Sequence, residues 1–166
     1  PRVRSLLIMP MLVDSHCDLA WNILSFGRDY TLAAAETRLR EAGGPPVQAN
    51  EDTLIGWPDY QRGRVAVVFA TLFAAPNRKR EGHWDKLCYG TPDEAHRLYR
   101  AQLDTYHELV DSRPDHFCLI RTQGELDSHV KLWAEGADQE HPVGLVVLME
   151  GAEGIRSADE LPEWHE

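Results

Sequence analysis

The sequence predicts an α/β protein built on a parallel sheet, and three observations carry that reading. Val65-Ala66-Val67-Val68-Phe69-Ala70-Thr71-Leu72-Phe73 and Val143-Gly144-Leu145-Val146-Val147-Leu148-Met149 are apolar runs without polar alternation. Strands of that kind are covered on both faces, as in sheets flanked by helices. The segments between them show helical periodicity, and alternation of buried strands with helices marks parallel β/α units. The 166 residues are read as one domain, 1–166, with a core of its own. A closed eight-stranded β/α barrel needs about 250 residues. At about three β/α units, the chain reads as a small open sheet or as part of a larger barrel.

The first strand is expected at 11–16. A helix at 31–41 follows, with Ala33, Ala34, Ala35 and Leu39 as its apolar residues, and Gly43-Gly44-Pro45-Pro46 ends it. Residues 47–63 are mixed and read mostly as loop, with Leu54, Ile55 and Trp57 available for packing. The clearest strand, 65–73, leads into a polar, basic loop at 76–89. Thr91-Pro92-Asp93-Glu94 is a helix start: Thr91 caps, Pro92 takes the first helical position and Glu94 completes a capping box. Its apolar stripe of Ala95, Leu98, Tyr99, Leu103, Tyr106, Leu109 and Val110 runs to Ser112, before Pro114. An extended piece at 117–121, a helix at 123–134, a loop at 136–142 and the strand at 143–149 complete the pattern. A last helix begins near Ser157.

Composition excludes several partners. A net charge of −10 argues against nucleic acid and anionic membranes, which reward Lys/Arg patches. No apolar run approaches the ~20 residues of a spanning helix. Residues 2–11 have the charged and apolar beginning of a signal sequence, but the apolar part is short and no small-residue cleavage site follows, so a cytoplasmic location is expected. The three cysteines, Cys17, Cys88 and Cys118, lack CxxC spacing, which speaks against a disulfide framework or a zinc–thiolate site. Cys17 is expected to behave as a small buried apolar residue.

The chemistry concentrates in Val13-Asp14-Ser15-His16-Cys17-Asp18 and Leu148-Met149-Glu150-Gly151. Alternation along a strand points His16 and Asp18 to one face. Glu150 ends the second apolar run, where a buried carboxylate needs a compensating charge. With the two strands as parallel neighbours, one imidazole and two carboxylates converge, a donor set suited to Zn²⁺. The plain alternatives are a hydrogen-bonded His–Asp pair and a carboxylate emerging into solvent. Asp14 is expected on the same face, orienting a ligand or closing off the interior. His96 and His107 fall on the polar face of the long helix and are expected to be solvated. His83 lies on the loop after the second strand, within reach of a substrate or simply a loop residue. His116, His129, His141 and His165 lack ligand spacing. No GxSxG, Walker or Rossmann pattern occurs.

Asp14-Ser15-His16-Cys17-Asp18-Leu19-Ala20-Trp21 resembles the opening strand of the zinc dipeptidases related to renal (membrane) dipeptidase, with its Asp-Gly-His-Asn-Asp-Leu-Pro pattern. Arg62-Gly63-Arg64-Val65-Ala66-Val67-Val68-Phe69-Ala70 is similar to the family's basic-Gly approach to its second strand, and Met149-Glu150-Gly151-Ala152 resembles its Ile-Glu-Gly-Gly segment. The resemblance implies a parallel-stranded (β/α)8 TIM barrel of the amidohydrolase type, of which this chain supplies roughly the N-terminal half. It further implies a binuclear Zn²⁺ site, with His16 and Asp18 on one zinc and Glu150 bridging both. The remaining ligands, a substrate-binding histidine and a catalytic aspartate would stand on later strands, so no catalytic residue beyond the metal ligands is expected here. The implied activity is hydrolysis of the peptide bond of dipeptides, and it requires the missing C-terminal half.

The implied partners are a small peptide substrate and that half barrel; a homodimer is compatible with both. Other amidohydrolases act on lactones, cyclic amides or ring amines, but many carry His-x-His on the first strand, so Asp18 favours the dipeptidase branch. The rival of another class is a non-catalytic barrel fragment that binds a partner through its open edge.

Overall fold

The computed structural model describes residues 10–135 and 139–164. Strand β1, Leu12–Cys17, runs through Asp18 directly into helix α1, Leu19–Phe26. Gly27 closes α1 in the left-handed conformation, φ +69°, which glycine adopts without a Cβ clash. Helix α2, Ala34–Glu41, begins later than its apolar pattern predicts, because Asp29 draws the Thr31 N–H and hydroxyl into a turn.

Two helices occupy the stretch read mostly as loop. In α3, Pro45–Asn50, the prolines expected to end a helix instead start one, since a first-turn residue has no intrahelical use for its N–H. In α4, Trp57–Gly63, the Trp57 N–H donates to the Tyr30 carbonyl at 2.7 Å and Asp59 accepts from the Ala34 N–H at 2.6 Å. The buried Arg28 guanidinium binds Glu41, Asn22 and the Glu51 carbonyl, tying the first three helices together.

Strand β2, Val65–Leu72, is followed by a two-residue strand β3, Ala75–Pro76, which pairs in parallel with β4, Cys88–Tyr89, across the basic loop. Helix α5, Pro92–Ser112, has the predicted limits and the predicted capping box. Strand β5, Phe117–Leu119, helix α6, Gln123–Glu135, and strand β6, Val143–Met149, follow. A short 3-10 turn, Ala158–Glu160, leads into α7, Leu161–Trp164. Residues 2–9 of the signal-like start, part of the 136–142 loop and His165 lie outside the described residues.

The sheet is parallel throughout, in the order β1-β2-β6-β5. β2 therefore separates the two strands that the sequence reading places side by side. Along β1 the pairing moves from Asp14–Val68 to Cys17–Ala70, three residues against two, so a bulge falls at Ser15–His16. The barrel does not close. Among the described residues β1 has a partner on one side only, with Leu12 and Val13 more than half exposed. β5 pairs with β6 only up to Leu145, leaving the far edge of 146–149 without a strand among the described residues.

The core lies between β2 and the helices. Val68, Ala70 and Leu72 are buried beneath Tyr99 and Tyr106 of α5 and Leu19 of α1. On the α6 side, the buried His129 binds the Ala66 carbonyl at 2.8 Å through Nε2, and the Trp133 indole donates to the Pro142 carbonyl at 3.0 Å. Among the described residues no helix is long and apolar enough to cross a membrane.

Candidate metal centre

His16, Asp18 and Glu150 meet at the C-terminal ends of the strands. His16 Nε2 lies 3.6 Å from Asp18 Oδ1 and 3.4 Å from Glu150 Oε2. One ligand atom from each residue can be chosen so that all lie within 4.8 Å of one another. All three side chains keep a third to a half of their surface exposed, so the cluster is open to solvent.

Alternation along a strand is not what makes them converge. The bulge displaces His16, Asp18 lies beyond the end of β1 at the N-cap of α1, and Glu150 is the first residue after β6. An aspartate at an N-cap ordinarily accepts from the first-turn N–H groups. Asp18 makes no such cap bond and instead accepts from the Thr71 hydroxyl. Asp14 accepts from the His16 backbone N–H at 3.1 Å, so it acts on the main chain of that residue.

Glu150 is held by its backbone. Its N–H donates to the Leu72 carbonyl at 3.0 Å, and its carbonyl accepts from the Tyr99 hydroxyl at 2.7 Å. The turn beyond it packs on α5. A Cβ on Gly154 would stand 2.6 Å from the Tyr99 ring, and His96 Nδ1 donates to the Gly154 carbonyl at 2.9 Å. His96, expected to be solvated, is mostly enclosed by this contact and by Glu160 at 3.6 Å. His107 is exposed, as its place on the polar face predicts, and His83 is exposed on its loop.

Three features escaped the sequence reading. Thr71 is the one polar side chain of β2, a signal in plain view. Tyr99 and Tyr106 read as core residues, yet each spends its hydroxyl near the cluster; Tyr106 donates to the Thr71 carbonyl at 2.8 Å and accepts from the Ala20 N–H at 3.3 Å. Trp21, Phe26 and Trp84 form an aromatic group with centroids 5.6 to 6.0 Å apart, joining α1 to the basic loop. Cys17 stands outside the cluster: its thiol takes the Tyr60 hydroxyl, and burial above all pushes it up to about 12.

The donor set fits zinc. Imidazole nitrogen and carboxylate oxygen are both accepted at about 2.0–2.2 Å, and tetrahedral ligands at that radius stand roughly 3.4 Å apart. The His16 distances to the two carboxylates match that spacing.

The class is a mixed α/β fold with an open parallel sheet, carrying an imidazole–carboxylate cluster at the C-terminal edge where β/α folds place their sites. Solved structures agree on the fold. The probable dipeptidase PvdM from Pseudomonas aeruginosa superposes with a TM-score of 0.58 at 15% identity, over 93% of this chain and 32% of that one. Dipeptidase AC, a metallopeptidase of family M19, superposes at 0.59 and 19% identity, over 93% and 39%. The chain thus spans about a third of the length of these structures. No protein-family model and no curated protein matches the sequence.

Proposed function

We propose that this chain is the part of a zinc-dependent dipeptidase that carries the first metal ligands. The observation that supports the reading best is the spacing of His16, Asp18 and Glu150, which suits a cation and costs repulsion between carboxylates without one. His16 and Asp18 would hold one zinc and Glu150 would bridge to a second, whose other ligands belong to the rest of the barrel. Bound zinc lowers the pKa of a coordinated water towards neutrality and polarises a scissile carbonyl. The chain's own contribution is orientation: β1, β2 and β6 fix the ligands, and the Trp21–Phe26–Trp84 group walls the loop beside α1.

The remaining half of the barrel is the proposed partner. The open edges of β1 and of residues 146–149 are where further strands would pair, and unpaired edges invite such pairing. A cytoplasmic setting belongs to the same proposal, because Cys17, Cys88 and Cys118 are all free thiols.

The test combines metal analysis with hydrolysis of an unblocked dipeptide, using the chain alone and co-expressed with a polypeptide completing the barrel. Zinc uptake, with turnover only in the completed protein, is expected. Unchanged turnover after His16→Ala and Glu150→Ala together would end the reading.

A further inference from the structure

We infer that Thr71 is a positioning residue that aims the Asp18 carboxylate at the metal position instead of at the helix it would otherwise cap. The inference rests on the metal reading of Asp18. Thr71 is fully buried in an apolar strand, where an unpartnered hydroxyl would be costly. Its partner is Asp18 Oδ1. The donor is rigidly placed. β2 is laddered on both sides, to β1 and β6, and a β-branched side chain has few rotamers. Behind it, Tyr106 donates to the Thr71 carbonyl and accepts from the Ala20 N–H. Thr71 and the first turn of α1 therefore share one anchor.

Two sets of donors compete for Asp18: the first-turn N–H groups of α1, which attract an N-cap aspartate, and the Thr71 hydroxyl. The hydroxyl wins, and α1 has no side-chain cap. One hydrogen bond leaves the carboxylate further lone-pair sites for a cation. It also removes rotamers that binding would otherwise have to freeze.

The competition separates positioning from a merely structural role. In Thr71→Val the shape stays and the donor goes, so Asp18 turns to the helix N–H groups. Cobalt(II) titration of the chain, followed by its d–d absorption, should show an affinity loss of about 10- to 100-fold. The thermal midpoint of the metal-free variant should not fall, and Thr71→Ser should restore the affinity. In an Asp18→Asn background, Thr71→Val should cause no further loss. Should Thr71→Val fail to fold, Thr71→Ala carries the same comparison. Equal cobalt affinity in wild type and variant overturns the inference while leaving the metal reading intact. A wild-type chain that takes up no cobalt overturns both.

Discussion

His16 Nε2 stands 3.4 Å from Glu150 Oε2 although a whole strand, β2, lies between their own strands. The contact spans the sheet because both side chains leave from the strand ends, where the twist and the β1 bulge bring them together. The His16 ring is thus a near neighbour of a carboxylate oxygen on each side. Glu150→Gln keeps the shape and removes one charge. Its zinc affinity, measured by competition with a chelator, should fall at least about tenfold, while His16→Ala should abolish uptake.

The Tyr99 hydroxyl holds the Glu150 carbonyl, and its ring fills the space beside Gly154. Tyr99→Phe removes the hydroxyl shared by the Glu150 carbonyl and the Glu153 carboxylate and should cost about 1 kcal/mol of stability in urea unfolding. Gly154→Ala forces a methyl group against the ring and should cost more, about 1–3 kcal/mol. The reverse order would show that the turn packs elsewhere.

Helix α5 begins with a complete capping box: the Glu94 N–H donates to Thr91 Oγ1, and the Thr91 N–H donates to the Glu94 carboxylate. Thr91→Ala should lower stability by about 1 kcal/mol, read as a shift of the urea midpoint at constant slope.

His129 is buried and binds the Ala66 carbonyl; burial depresses its pKa below the ordinary 6.5. A group depressed in the folded state is protonated first in the unfolded chain. Its contribution is therefore complete above pH 6.5 and is lost as pH falls through the folded value. Thermal midpoints of wild type and His129→Gln, compared from pH 7 down to about pH 5, should show the steeper decline in wild type. Parallel curves would contradict this.

Much of the scaffold is legible in the sequence. β2 and β6 declare themselves by unbroken apolar runs, and α5 by its cap and stripe. Helices α1, α3 and α4 do not, because each has eight residues or fewer and is held by tertiary bonds such as Trp57 to Tyr30. His16, Asp18 and Glu150 can be picked out by residue type and position. The Ser15–His16 bulge cannot, since a register shift depends on the partner strand. Thr71 and Tyr99 stay hidden for a similar reason: the use of each hydroxyl depends on which residue the fold places opposite it.

The position of Asp18 and Glu150 just beyond their strands has an evolutionary consequence. Both side chains project from beyond the strand ends, and the one bond from Glu150 to β2 runs through its backbone N–H, so exchanging either side chain leaves the inter-strand backbone hydrogen bonds in place. Selection can therefore alter what the rim binds while leaving the strand pairing in place. The scaffold and its chemistry are free to diverge at different rates.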